Sequence, residues 1–305
     1  LLSSAASVGA QAGYPSKPIQ LIIPFAAGSS ADIEGRIIAK AADKHLGQPV
    51  VAVNEPGAGG ALAYAKVKTA APDGYTVSWN STSLLTTTNL GNLDFDYTAL
   101  VHVCRVSIQS MAIAVKGDAP WKSFEEFMAY AKANPGKVKV GNAGTGSGTH
   151  LTAVAMGELA GLQLVHVPLG AGKRIPSLLR GEVEAVSVPT PEAATHHTAG
   201  QARILAVASG ARDSIFPDVP TMKEKGVPVA IELFRGISVP KGTPPVVIQR
   251  LADAFKKAGQ DPTFVDAGKK GGFEVSYQGP EEFSKYLAQQ NEFVASMMVK
   301  SGLKK

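Results

Sequence analysis

The chain has 305 residues, 45% of them hydrophobic and 18% charged, which is the composition of a globular protein able to bury one large core or two smaller ones. Thirty basic against 25 acidic residues give a net charge of +5, but the lysines are scattered and no basic run is interleaved with aromatics, so a nucleic-acid surface is not indicated. No apolar run approaches the length of a membrane span, and the single cysteine, Cys104, cannot form an intrachain disulfide and reads as a core residue.

The first dozen residues, LLSSAASVGAQA, are small and apolar and end in Ala10-Gln11-Ala12, the A-x-A pattern of a signal-peptide cleavage site whose charged start is missing. Residues 1–12 are therefore expected to be a processing remnant, with the mature protein starting near Gly13, outside the cytoplasm. The next stretch, IQLIIPFAAGSSADIEGRIIAKAADKHLGQ, predicts a strand from Ile19 to Ile23, a small-residue loop from Phe25 to Ser30, and a helix. Ile33, Ile37 and Ala41 are expected on one face of that helix and Gly47 just past its end.

VVAVNEPGAGGALAYAKVKTAAPDG repeats the pattern, with Gly57-Ala58-Gly59-Gly60 as its loop, and YTVSWNSTSLLTTT follows a strand with Asn80, Ser81, Thr82 and Ser83. MAIAVKGDAPW reads as an apolar strand running into a Gly/Pro segment. The helix KSFEEFMAYAKANPG opens with a Ser123/Glu126 capping box and buries Phe124, Phe127, Met128 and Ala131. VGNAGTGSGTHLTAVAMGELAG then follows a strand at 138–140 and places Gly144, Gly146 and Gly148, two threonines and a serine directly before a helix carrying Leu151, Val154, Ala155 and Leu159. LVHVPLGAGKRIPSLLRG and VEAVSVPTPEAATHHTAG add two more units. Such alternation predicts parallel sheets flanked by helices.

Loops after the strand carboxyl ends line the ligand crevice of open α/β sheets. Here they are built from Gly, Ala, Ser and Thr, so backbone amides and hydroxyls would line it, at helix starts where orphan N–H groups and the dipole favour an anion. A carboxylate suits such a lining. For any one loop, glycine and serine serving only the turn and the cap is the commoner outcome. IELFRGISVPKGTPP has the same form as MAIAVKGDAPW, and the two are read as crossing strands. Residues 13–113 plus 240–305 would form one lobe and 114–239 the other, the last helix, with Phe283, Tyr286, Leu287, Gln290, Val294 and Met297, closing the first.

YPSKPIQLIIPFAAGSSAD, GQPVVAVNEPGAGG, AAPDGYTV, GNAGTGSGTHL, LVHVPLGAG, the run Phe216-Pro217-Asp218-Val219-Pro220-Thr221 and PKGTP follow in the order and spacing of the Bug family. The chain resembles these periplasmic solute-binding proteins of tripartite tricarboxylate transporters over nearly all of residues 14–300. The resemblance implies an α/β fold of the type II periplasmic binding protein class, two Rossmann-like lobes with a hinge of two crossing strands. It further implies a periplasmic protein that closes over a small carboxylate and hands it to membrane permease subunits, with no enzymatic activity, cofactor or metal, no nucleic-acid partner, and a monomeric state.

In that family the loop after the first strand and the loops of the second lobe hold the ligand, partly through ordered waters. Carried onto this sequence, the expected ligand contacts are Phe25, Ala26, Ala27, Gly28 and Ser29, then Ser81, Thr82 and Ser83, then Gly146, Ser147 and Thr149, then Pro189 and Thr190. Arg235 completes them. As a hinge-strand arginine it would reach water or pair with Glu232; as a ligand group its planar fork would take a second carboxylate, as family members with Arg-Gly after an aromatic residue suggest, here Phe234.

Three departures bear on the ligand. Gly28 is followed by Ser29-Ser30-Ala31-Asp32 where the family commonly has Gly-Gly-Ser/Thr-x-Asp, Leu169 stands where a tyrosine is usual, and Val188-Pro189 replaces a frequent Asp-Asn pair. Losing that acid removes a partner for a ligand ammonium group, which favours a plain di- or tricarboxylate, aliphatic or aromatic, over an amino acid.

Other chemistry finds little footing. Gly57-x-Gly59-Gly60 lacks the third glycine and the later acid of a dinucleotide loop, and Ser147 between Gly146 and Gly148 is not a nucleophile elbow. His196-His197 lacks metal-ligand spacing and is expected at the surface, while His150 and His166 could approach the crevice, though a helix-start histidine and a strand histidine are more often structural or partly buried. Two other classes share the two-lobed pattern: an enzyme acting on a carboxylate in its cleft, for which no nucleophile with a base is visible, and a sensory receptor of the same fold.

Overall fold

The computed structural model describes residues 13–170, 172–300 and 302–304; the expected signal remnant at 1–12 and Ala171 of the Gly-Ala-Gly loop lie outside the described residues. The first half opens with β1 (Ile19–Ile23), α1 (Ser30–Leu46), β2 (Val50–Asn54), α2 (Ala61–Thr69), β3 (Thr76–Ser81) and α3 (Ser83–Asn89). β1 is apolar and β-branched because both its faces are covered, with Leu21, Ile22 and Ile23 fully buried. α1 is capped by the Ser29 side chain, which accepts from the Asp32 N–H, and ends at Gly47 in the left-handed conformation, as the sequence predicts. Its buried stripe differs from the predicted one. Ile33 is 54% exposed, and the face turned to the core carries Ala31, Glu34, Gly35, Ile38, Ala41 and Ala42.

The chain then crosses in a 17-residue strand, β4 (Leu100–Lys116). The second half follows with α4 (Phe124–Ala133), β5 (Lys139–Asn142), α5 (Gly148–Ala160), β6 (Val165–Pro168), α6 (Arg174–Leu179), β7 (Ala185–Pro189), α7 (Thr190–Thr198) and β8 (Ala202–Val207). It returns in β9 (Glu232–Pro240), then α8 (Pro245–Gly259), α9 (Pro262–Gly271), β10 (Glu274–Gln278) and α10 (Pro280–Lys300).

β4 joins two sheets. Its first part, through Ser110, pairs antiparallel with β9 and β10 in the order β2-β1-β3-β9-β4-β10. From Met111 onward it pairs with β7 and β8 in the order β6-β5-β7-β4-β8. Parallel pairing, expected from the βα alternation, holds within β2-β1-β3 and β6-β5-β7. The crossing strands are antiparallel to their neighbours, so each sheet is mixed. The chain re-enters the first sheet beside β4, with the Ile231 N–H donating to Ala208 O at 3.0 Å just before β9 begins. This is the two-lobed architecture of periplasmic binding proteins.

α4 is capped as predicted, the Ser123 Oγ accepting from the Glu126 N–H at 3.2 Å, while the Glu126 carboxylate reaches the Lys122 N–H. α10 buries Phe283, Leu287, Val294, Met297 and Met298 and packs on both α3 and α5. One apolar cluster therefore runs from Phe127 and Leu151 in the second half to Phe234 and Phe283. Cys104 is fully buried in the first half's core, where burial pushes its thiol up from the ordinary value.

Candidate functional site

Two strand–loop–helix units face each other at the junction of the sheets. The loop after β1 ends at Ser29, the cap of α1, and the loop after β5 ends at Ser147, the cap of α5. Both helix starts, Ser29 to Ala31 and Ser147 to Thr149, line one cleft that opens to solvent. Because the first N–H groups of a helix have no intrahelical partner, the cleft meets two positive dipole ends. Phe25, Met111, Ala143, Pro189 and Leu233 supply the less polar walls.

The cleft also holds charge. Arg235 on β9 is 3% exposed, and its Nε donates to Glu34 Oε2 at 3.4 Å. The Phe25 ring lies 5.9 Å from its guanidinium carbon. Glu34 is 1% exposed on the buried stripe of α1 and also accepts from Ser107 Oγ and, at 3.4 Å, from Gln109 Nε2. From the other sheet come Arg174, at the start of α6, and Glu192, in the first turn of α7, joined by an ion pair. Burial pushes the Glu34 and Glu192 carboxyls up from their ordinary range, against the pull of Arg235 and Arg174 respectively.

Of the contacts expected from the sequence, Phe25, Ser29, Ser147, Thr149, Pro189 and Arg235 line this cleft. The Ser147 Oγ caps the His150 N–H at 3.1 Å and lies 2.9 Å from Thr149 Oγ1, which accepts from the Ala143 N–H. Ala26, Ala27 and Gly28 are exposed beside it, and the Gly28 N–H is taken by Asp32 Oδ2 at 2.9 Å. Gly146 donates its N–H to His150 Nδ1 at 3.1 Å. Thr190 is buried and donates to Asp213 Oδ2 at 2.8 Å.

Ser81, Thr82 and Ser83 are buried away from the cleft lining. The Ser83 Oγ meets Tyr64 Oη at 2.6 Å and Ser81 Oγ at 2.8 Å, and Thr82 Oγ1 donates to Glu232 O. Arg235 pairs with Glu34, not with Glu232 as the sequence suggests for a hinge arginine. His196 and His197 are half-buried rather than exposed, since their Nδ1 atoms meet Gln201 Oε1 and the Ile204 N–H and His197 packs on Phe216.

Sequence reasoning passed over Glu34, Arg174 and Glu192. Glu34 had a signal, a carboxylate in register with Ala31, Ile38 and Ala41 on the buried stripe. Arg174 and Glu192 are brought together only by the packing of α6 and α7 around β7.

Among the described residues no group of three His, Cys, Asp or Glu side chains is placed to hold a metal ion, and no helix is long and apolar enough to cross a membrane. Residues 35–303 match the family described as tripartite tricarboxylate transporter family receptor, TctC. Protein BugT of Bordetella pertussis is 32% identical, over 95% of this chain and 91% of its own length. A TctC solute-binding protein from Polaromonas, solved without ligand, is 37% identical with a TM-score of 0.82, covering 94% of this chain and 99% of its own. MatC from Rhodopseudomonas palustris, solved with bound malate, shares the fold at 24% identity and a TM-score of 0.81, over 93% of this chain and 99% of its own. With a family match across most of its length and the two-lobed fold in common, the chain belongs to the TctC family of tripartite tricarboxylate transporter receptors, the Bug-type proteins that its motifs resemble.

Proposed function

We propose that this protein is a periplasmic solute-binding protein that captures a small di- or tricarboxylate in the cleft between a lobe of residues 13–113 plus 240–305 and a lobe of 114–239, and delivers it to the permease of a tripartite tricarboxylate transporter. The observation that carries this reading is the meeting of two helix N-termini and two buried arginines in one cleft, a donor set suited to carboxylate oxygens. MatC's bound malate is in keeping with it. The two crossing segments, β4 near Ser110 and the chain entering β9, are the pivots for closure over the ligand. Ligand leaves chemically unchanged, since the role is capture and release.

A thermal-shift panel tests the reading, because a ligand that binds only the folded state stabilises it by RT ln(1 + [L]/Kd), about 2.7 kcal/mol at a hundred times Kd. Dicarboxylates and tricarboxylates are expected to raise the melting temperature and to be recovered intact, and their neutral diamides are not. Stabilisation by neutral or cationic compounds in place of the acids would defeat the proposal.

A further inference from the structure

Arg174 is 2% exposed. One guanidinium nitrogen donates to Glu192, Nη1 donates to Ser187 O at 3.2 Å, and Nε is buried without a partner. Arg235 repeats the arrangement from the other sheet, with Nε on Glu34 and Nη1 buried without a partner. Both arginines line the same cleft. A guanidinium stays charged at any ordinary pH, and a buried N–H of a charged group left without an acceptor is costly. Two arginines, each with such a donor, line one cleft, and together they suit an occupant bearing acceptors at two places.

Each arginine also brings its own carboxylate, fully buried at Glu34 and half-buried at Glu192, so the two cations and two anions of the cleft cancel. An incoming carboxylate must therefore compete with an internal one for its guanidinium. A ligand with one charged group can engage one arginine, whereas a ligand with two can engage both. We infer that Arg174 is a specificity-determining residue that reads one carboxylate of a dianionic ligand while Arg235 reads the other, with Glu192 the internal counter-ion against which that ligand competes. This assignment rests on the carboxylate-binding reading above.

Calorimetric titration of the whole chain with succinate, glutarate and adipate, and with the monoamide of each, tests it, because the amide removes one charge at nearly constant size. The wild type is expected to favour the diacid roughly ten- to hundred-fold, the range for hydrogen bonds to a charged group. Arg174→Gln combined with Glu192→Gln removes both charges of the pair together, avoiding a buried cation without its counter-ion, and is expected to cut that preference to a few-fold. Glu192→Gln alone frees Arg174 and is expected to tighten the diacid several-fold.

If the pair only braces α6 against α7, Glu192→Gln weakens diacid and monoamide alike and the double variant keeps the wild-type ratio; either result overturns the assignment. A wild type that binds neither kind of compound overturns the carboxylate-binding reading and the assignment with it. Binding by the wild type with an unaltered ratio in the double variant overturns the assignment of Arg174 alone.

Discussion

After β3 the chain runs through Ser81-Thr82-Ser83 into α3, and after β5 it runs through Gly146-Ser147-Gly148-Thr149 into α5. Both are small, hydroxyl-bearing loops at helix starts. In the first, Ser81, Ser83 and Tyr64 bond to one another in the interior, and Thr82 ties the loop to the carbonyl of Glu232. In the second, Ser147 caps its helix while staying on the cleft wall, and Thr149 steadies Ala143 beside it. Loop composition thus sets where a helix begins, but whether its polar groups face a ligand depends on what packs over them. Tyr64 covers the first loop, and the second is left open across from α1.

The largest expected effect falls on the second loop. Gly146 has φ +77°, and a Cβ built there would lie 2.0 Å from Leu90 Cδ1, a side chain that follows α3. Gly146→Ala adds left-handed strain and makes the end of the Leu90 side chain shift, and is expected to cost about 1–3 kcal/mol in denaturant unfolding and to weaken carboxylate binding by misplacing the start of α5. Unchanged stability would mean that the loop is not pinned against Leu90.

Ser83→Ala sharpens the contrast from the other side. It leaves the buried Tyr64 hydroxyl short of a partner and is expected to cost about 1–3 kcal/mol of stability with carboxylate affinity preserved, as calorimetry on the folded variant would show. A selective loss of affinity would return the first loop to the ligand site. Ser147→Ala removes a helix cap, expected to cost about 1 kcal/mol of stability, and in addition lowers affinity, because the cap fixes N–H groups that face the cleft. Equal affinity in the variant would separate the cap from the site.

The smallest effect is on acid stability. His150 Nδ1 accepts from the Gly146 N–H, and burial, reinforced by His166 with its ring centroid 5.1 Å away, lowers the His150 pKa from 6.5 to about 4. A depressed histidine is neutral in the folded state and charged in the unfolded one below pH 6.5, so the folded protein loses stability as pH falls from 6.5 toward 4. The raised carboxyls of Glu34 and Glu192 act with the opposite sign. The measurement is therefore the pH slope of the melting temperature in His150→Asn against the wild type, expected to be shallower in the variant over that window.

Much of the frame was legible because local signals agree with the fold. The Ser29 and Ser123 caps, the Gly47 stop and the apolar run of β1 each act within a few residues. Long-range arrangements carried no such signal. Of the expected face of α1, Ala41 is buried and Ile37 packs on the core, but Ile33 is exposed; the stripe is shifted because the core accepts Glu34 once Arg235, 201 positions away, and Ser107 satisfy its carboxylate. Arg235 stands out in the sequence beside Phe234, but its pairing with Glu34 does not, since register sets Arg235 opposite Ser107 on β4, the residue that also bonds Glu34. Arg174 and Glu192 are 18 positions apart on separate helices, and only β7 between those helices makes them neighbours.

The central claim is that a carboxylate sits between the two helix starts. A crystal structure of the whole chain grown with saturating glutarate tests this most directly. The account predicts one carboxylate within hydrogen-bonding distance of N–H groups in Ser30–Ala31 or Gly148–Thr149 and the cleft arginines turned to the ligand. Glutarate bound elsewhere, with both helix starts and both Arg–Glu pairs as they stand without it, would contradict the account.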